Sequence, residues 1–332
     1  MTGKPRILVV GSFVMDLIAS TEHAPRAGQT VVGTSFRTAP GGKGANQAVQ
    51  AARLGADVTV IGCVGGDVFG REMLDTAAQA GVDVSHVRID PAVSSGIGHV
   101  LLEVTEHGAQ NRITAIPGAN QSIRPEDVAW VREHIGEFGL VMLQMEIPLE
   151  INLLVAHWAQ AAGVPVMLNP APAAPLSDEL LSCVTYLTPN EQEAAVETGC
   201  PLRIGEHGIQ KDDMQAVARA LWARGVKNVI ITLGSNGSAV VGPNHIQYIP
   251  AVQMPHVADP TAAGDSFVAA FCVGLGIGLT QTQALTFASY AAAITVSRMG
   301  AMPSLPKLEE VVALLREHGC EEFDLRALDA LK

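Results

Sequence analysis

The sequence predicts an α/β protein, with a mainly parallel central sheet, helices on both sides and a small antiparallel β-lid. Three observations carry this reading. Short apolar runs alternate with segments of helical period, the pattern of βαβ units. Within those runs the apolar residues are consecutive, as strands buried on both faces require. Two further regions break the rhythm with near-alternating, turn-bounded residues, and these read as an added antiparallel sheet.

The first strand is residues 6–11 (RILVVG), an apolar run that stops at glycine. Residues 44–54 (GANQAVQAARL) have helical period and end at Gly55, and residues 57–62 (DVTVIG) form a second buried strand. Further strands are expected at 140–144, 164–169, 184–188 and 229–233, with helices at 125–135, 150–162, 191–198 and 211–224. The final third, at 264–279, 281–298 and 307–317, is mostly helical. Residues 16–20 and 30–38 lack helical period, and 96–104 with 111–117, joined by the turn-rich 105–110, read as a β-hairpin. Neither fits between neighbouring parallel strands without an excursion. The expectation is one domain over 1–332, carrying a discontinuous lid at approximately 14–40 and 96–117. An open α/β sheet takes ligands beyond the carboxyl ends of its strands, where such a lid would close.

Apolar residues make up 48% and charged residues 16% of the 332, which allows a large core and excludes a disordered chain. Lys and Arg number 21 against 33 Asp and Glu, a net charge of −12 that argues against nucleic acid or an anionic membrane surface as partner. Cys63, Cys183, Cys200, Cys272 and Cys320 are odd in number and form no C-x-x-C pair, so a reducing, cytoplasmic setting is expected. The N-terminal residues lack a signal-peptide layout. The longest apolar stretch, 266–279, falls short of the roughly 20 residues of a bilayer span. No histidines stand at zinc-site spacing, and the glycines of 62–70 do not follow the dinucleotide fingerprint, which argues against hydride transfer.

Four segments could carry chemistry. Residues 39–47 read A-P-G-G-K-G-A-N-Q: glycines around Lys43 open a helix and would let a polar ligand approach the backbone, with Asn46 facing it. The spacing is not that of a Walker A loop, and a plain glycine-rich turn fits as well. Residues 258–267 read A-D-P-T-A-A-G-D-S-F. Backbone N–H groups at a helix start form an anion hole, and Asp265 beside them suits a general base serving a nucleophile; an ordinary N-cap is the alternative. Residues 232–237 (TLGSNG) suit a tight loop over a flat ligand or phosphate, or a simple turn. Residues 188–193 (TPNEQE) place Asn190 and Glu193 on one helical face, where they could hold a hydrated metal near phosphates or cap the helix.

Taken in order, G-G-K-G-A-N-Q-A at 41–48, N-E-Q-E at 190–193, T-L-G-S-N-G at 232–237 and D-P-T-A-A-G-D at 259–265 resemble the ribokinase-like (pfkB) carbohydrate kinase family. The likeness runs nearly end to end, from residues 11–16 (GSFVMD) to 298–304 (RMGAMPS). The resemblance implies a three-layer α/β/α fold, a β-lid that also builds a homodimer, and MgATP-dependent phosphorylation of the 5-hydroxyl of a pentose. The G-G-K-G-A-N form is closer to ribose-phosphorylating members than to those acting on fructose or adenosine. D-ribose is therefore the expected sugar. A 2-deoxyribose or nucleoside kinase is the alternative, and a non-catalytic sugar-binding regulator is a more distant one.

The same resemblance makes Asp265 the general base and the N–H groups of Ala262, Ala263 and Gly264 the anion hole for the transferring phosphoryl group. Val14, Asp16, Gly42, Lys43, Gly44, Ala45, Asn46 and Glu146 fall on the sugar side, with Asp265. Asn190 with Glu193, the loop Thr232, Leu233, Gly234, Ser235, Asn236 and Gly237, and Ser289 fall on the nucleotide side, with Gly264 and Asp265. Asp259, Thr261, Thr295, Arg298, Gly300 and Ser304 match a monovalent-cation site, which holds potassium in the family. Three residues depart from the family pattern. Val14 stands where many members have a sugar-binding Asn, which puts sugar discrimination in question. Pro260 follows Asp259 where Thr is usual, stiffening the loop between cation and anion hole. Ser289 replaces a common His near the nucleotide base.

Overall fold

The computed structural model describes residues 3–105, 108–205, 208–320 and 323–332. Its strands are β1 (Arg6–Val10), β2 (Val14–Thr21), β3 (Ser35–Gly41), β4 (Asp57–Gly65), β5 (Val82–Asp90), β6 (Gly96–Thr105), β7 (Gly108–Ile116), β8 (Leu140–Leu143), β9 (Val166–Leu168), β10 (Tyr186–Leu187), the two-residue pair β11 (Ile204–Gly205) and β12 (Gly208–Ile209), β13 (Asn228–Thr232), β14 (Ser238–Val241) and β15 (Ile246–Ile249). The α-helices are α1 (Lys43–Arg53), α2 (Val68–Gln79), α3 (Pro125–His134), α4 (Leu149–Ala161), α5 (Asp178–Cys183), α6 (Glu191–Thr198), α7 (Lys211–Ala223), α8 (Ala263–Gly276), α9 (Gln281–Val296) and α10 (Leu308–Glu317).

Nine strands form the central sheet in the order β15-β14-β13-β10-β9-β8-β1-β4-β5. Every pairing from β13 to β5 is parallel, while β14 and β15 add an antiparallel edge. Strand β1 shows why the apolar runs are continuous. Ile7 and Val9 enter one apolar layer, with side chains of α1, α8 and α9; Leu8 and Val10 enter the opposite one, with α3, α4 and α7. All four are buried, and full burial of such a side chain is worth about 1.5–3 kcal/mol. This is the expected three-layer arrangement.

The lid is a separate four-stranded sheet ordered β3-β2-β6-β7. It forms where expected, with two differences. Residues 30–34 stay outside the strand, which begins at Ser35. The hairpin strands also run further toward each other than expected, to Thr105 and from Gly108; Glu106 and His107 of the expected turn lie outside the described residues. Strands β5, β14 and β15 and helix α2 lie outside the expected elements.

The order of the main sheet fixes the position of the site. From β1 the chain progresses one way to β4 and β5, and later returns on the other side of β1 as β8, β9, β10 and β13. The crevice beyond the carboxyl ends of β1 and β8 is thus a topological switch point, where open α/β sheets bind ligands. Among the described residues no helix is long and apolar enough to cross a membrane, and all five cysteines are free thiols.

Candidate active site

The glycine-rich loop enters this crevice by close backbone packing. A Cβ on Gly44 would lie 2.4 Å from the Ser12 nitrogen, and one on Gly11 would lie 2.7 Å from Gly44 Cα. Gly42 has φ 94°, a left-handed conformation that favours glycine, and its Cβ would lie 2.6 Å from the Val14 nitrogen. Gly42 and Gly44 therefore let α1 press against the chain leaving β1, whereas the sequence had them opening the backbone to a ligand. Ala45 is likewise buried, its N–H donating to the Ser12 carbonyl at 2.9 Å. That packing brings Lys43 and Asn46 to the crevice.

Glu146, just after β8, ties the loop together. Its Oε2 accepts from Ser12 Oγ at 2.5 Å and from the Lys43 N–H at 2.9 Å, and Ser12 Oγ in turn accepts from the Gly44 N–H at 3.2 Å. Asp16 projects from β2 of the lid toward the bare backbone of Gly98, whose Cβ would stand 2.1 Å from Asp16 Oδ1. Val14, two residues earlier, shares that face, and its Cγ1 lies 3.7 Å from the same point. Burial, and then the charges of Glu146 and Asp259, push the Asp16 carboxyl up to about 6. Burial pulls the Lys43 ammonium down, but Asp265, Glu146 and Glu193 together outweigh it and leave the pKa raised.

Asp265 lies in the first turn of α8, and the N-cap is Ala262. The cap reading of Asp265 is thereby replaced: its carboxylate is buried and faces the amides of α1. Oδ2 accepts from Asn46 Nδ2 at 2.9 Å and Oδ1 from Gln47 Nε2 at 3.0 Å. Burial raises its pKa against the opposing pull of Lys43, Asn46 and Gln47. Asn46 Oδ1 is buried without a partner among the described residues, an acceptor available to a ligand hydroxyl. Ala262 has φ 61°, a strained conformation for a residue with a Cβ. It turns the chain so that successive N–H groups open at the helix start, the geometry of an anion-binding nest. Ala263 departs from the expected trio, because its N–H is occupied by the Pro260 carbonyl at 3.2 Å. The N–H groups of Ala262 and Gly264 meet no acceptor among the described residues.

Beside this turn is a largely apolar cavity of about 310 Å³. Gly234, Ser235 and Gly237 line it from the loop after β13, Val252 and Met254 from the segment after β15, and Phe267, Ser289 and Ala292 from α8 and α9. Its size and lining suit a flat heterocycle. Of the expected loop, Thr232, Leu233 and Asn236 do not line it: Leu233 is buried, with its N–H on the Gly237 carbonyl at 2.8 Å. Asn190 and Glu193 form a reciprocal cap. Asn190 Oδ1 accepts the N–H of Gln192 and of Glu193, each at 2.9 Å, while the Asn190 N–H and Nδ2 donate to the two Glu193 oxygens, also at 2.9 Å. The capping alternative is thus the one realised. Among the described residues no three His, Cys, Asp or Glu side chains converge as a metal cluster.

The cation-site residues separate into two groups. Asp259 Oδ1 accepts from Thr261 Oγ1 at 2.6 Å and the Thr261 N–H at 2.9 Å, and Oδ2 accepts the Gly300 N–H at 3.0 Å. These contacts join the loop before α8 to the loop after α9 and, against burial, hold the Asp259 carboxyl below its ordinary range. The other side chains are engaged elsewhere: Thr295 Oγ1 donates to Ser266 Oγ or the Ala291 carbonyl, Arg298 pairs with Glu310, and Ser304 Oγ donates to the Ala301 carbonyl. Those positions could offer a cation only backbone oxygens.

Sequence reasoning missed Ser12, Gly98, Gln47, Gln144 and Asn169. A signal was available for Gln47. Helix α1 is buried from Gly44 to Ala51 yet carries Asn46, Gln47 and Gln50, and buried amides require partners.

Comparison with known proteins agrees with this geometry. Residues 4–308 match the pfkB family of carbohydrate kinases. A ribokinase of Schizosaccharomyces pombe is 39% identical over 312 residues, covering 92% of this chain and 96% of that protein. A ribokinase of Bacillus subtilis is 39% identical over 309 residues, covering 93% and 99%. The solved structure of Arabidopsis thaliana ribokinase complexed with ribose and ATP superimposes with a TM-score of 0.84 at 34% identity, covering 94% of this chain and 99% of that one. The chain belongs to the pfkB family of carbohydrate kinases.

Proposed function

We propose that the chain transfers the terminal phosphoryl group of MgATP to the 5-hydroxyl of D-ribose. One observation carries the reading: Asp265 is a buried carboxylate held by two amide donors, one turn into a helix whose start presents the unpartnered N–H groups of Ala262 and Gly264. A pure binder of anions has no use for a carboxylate there. A kinase needs both, a base for the hydroxyl proton and donors for the charge on the moving phosphoryl group. The sugar would lie between Asp265 and the lid, meeting Asp16, Glu146 and the free Asn46 oxygen. The base of ATP would fill the cavity between Gly237 and Ser289, and Lys43 would meet the phosphate charge. Mg²⁺ arrives with the nucleotide; with Glu193 committed to its cap, the phosphates and water supply most of its ligands.

Three finer assignments belong to the same reading. Lid closure excludes water from the transfer. The lid's outer face, with Val32, Phe36 and Ile113 exposed, pairs with a second copy to give a homodimer. Potassium binds beside Asp259 and orders the 259–264 turn. The setting is the cytoplasm, where ATP is supplied.

A coupled ADP-release assay across D-ribose, 2-deoxy-D-ribose, D-fructose and nucleosides, with and without potassium, tests the function. Ribose-dependent ADP release supports it. Sugar binding by calorimetry without turnover points to a regulator instead. Val14, apolar beside Asp16, favours one second reading, a site that also accepts 2-deoxyribose.

A further inference from the structure

We propose that Gln47 is a positioning residue for Asp265, and that Gln144 and Asn169 lock its amide in the single orientation that presents a proton to the carboxylate. This deepens the reading of Asp265 as the base, and rests on it.

Gln47 follows Asn46 on α1 and is completely buried, so its amide has no water to fall back on. Each polar atom is used. Nε2 donates one proton to Asp265 Oδ1 at 3.0 Å and the other to Asn169 Oδ1 at 3.3 Å, while Oε1 accepts from Gln144 Nε2 at 2.7 Å. A flipped amide would set oxygen against oxygen at Asp265 and at Asn169, and nitrogen against nitrogen at Gln144. The neighbours cannot follow the flip. Asn169 Nδ2 is held on the Thr188 carbonyl at 3.3 Å, and the Gln144 carbonyl is held by Asn152 Nδ2 at 2.7 Å. Gln144, Asn169 and Thr188 follow β8, β9 and β10 directly. The orientation is therefore set by three adjacent strand ends of the central sheet, rigid elements rather than loops.

With Asn46 on one oxygen and Gln47 on the other, the Asp265 carboxylate cannot rotate, and its remaining lone pairs keep one direction. Both donors also favour the ionised form, which burial alone would suppress. The charged groups facing Asp265 are Lys43 on α1, Glu146 after β8 and Glu193 on α6. None of them is removed by changing Gln47.

The test is the pH profile of kcat/KM for the sugar in wild type, Gln47→Met, Gln144→Met, the double variant and Asp265→Asn. Methionine keeps the length and drops the donor. For Gln47→Met the acid limb is expected to move up by about one pH unit, the effect of one lost hydrogen bond to a charged acceptor. kcat at pH 7 should fall about tenfold or more while KM for ATP changes little. Gln144→Met should shift the limb less, in the same direction, and the double variant should match Gln47→Met, because the two act through one amide. An unmoved acid limb in Gln47→Met overturns the proposal even if activity or thermal stability drops, since loss of packing alone leaves the base's protonation where it was. If Gln47→Met does not fold, Gln144→Met decides by the same criterion. Asp265→Asn separates the two levels. Full turnover in that variant defeats the base assignment itself; loss of turnover there with an unmoved limb in Gln47→Met defeats the positioning role alone.

Discussion

Replacing Asp16 by asparagine is expected to make the protein more stable and its sugar site worse. Asp16 is raised from 3.8 to about 6 by burial and by the charges of Glu146 and Asp259. The folded chain thus holds this proton more tightly than the unfolded chain does. The resulting stability is fully present below the unfolded value and is lost as pH rises through the folded one. Above pH 6 the wild type therefore carries an ionised carboxylate in an unfavourable place. A shift of this size corresponds to about 3 kcal/mol at most, and to about 1–3 kcal/mol once partial access of water is allowed for. Asparagine keeps the shape and cannot ionise. The Asp16→Asn variant should accordingly exceed the wild type by about 1–3 kcal/mol at pH 8, with the difference shrinking by about 1 kcal/mol on going to pH 5. The same change removes a charged acceptor from the sugar pocket, so KM for ribose should rise about tenfold or more. Urea unfolding of both proteins at several values between pH 5 and pH 8 gives the first quantity, and initial rates give the second. A stability difference that does not vary with pH, or a less stable variant at pH 8, refutes the electrostatic argument.

Val14→Asn is expected to raise the preference for ribose over 2-deoxyribose about two- to tenfold in kcat/KM, since a new amide beside Asp16 can bond a hydroxyl that valine only touches; an unchanged ratio shows that residue 14 does not read the sugar. Potassium should raise kcat above that in tetramethylammonium at matched ionic strength, because the Asp259 contacts to Thr261 and Gly300 tie the turn before α8 to the loop after α9, and equal rates in the two salts contradict this. Gly264→Ala should fold with stability within about 0.5 kcal/mol of wild type, as its Cβ meets nothing within 4 Å, yet lose at least about tenfold in kcat by obstructing the phosphoryl position; retained kcat removes Gly264 from the site.

The elements legible in the sequence are those whose environment leaves a local signature. Strands β1, β4 and β8 are buried on both faces and show it as unbroken apolar runs. Helix α6 announces both ends, by the Asn190–Glu193 capping box and by Gly199 at φ 69°. Strand β5 (VDVSHVRID) is an edge strand with half its residues accessible, so its apolar signal is diluted. Strands β14 and β15 are short and antiparallel, outside the βαβ rhythm used to find the others. In the site, Asp265 was legible because small residues and an apolar helix frame it within one short segment. Its support was not, because Gln47, Gln144 and Asn169 meet only through strand order. Nor does alanine announce a left-handed turn at residue 262. The division of the cation-site residues, with Thr295 and Arg298 engaged elsewhere, likewise depends on contacts from distant helices.

The central claim is that Asp265 takes the proton of the sugar hydroxyl as the phosphoryl group moves. The direct measurement is single-turnover transfer from ATP to ribose by Asp265→Asn, with ATP affinity of the same variant determined by calorimetry. The account predicts a transfer rate lower by about 10²–10⁴-fold, with ATP affinity within about threefold of wild type. Transfer at a near-wild-type rate would contradict it.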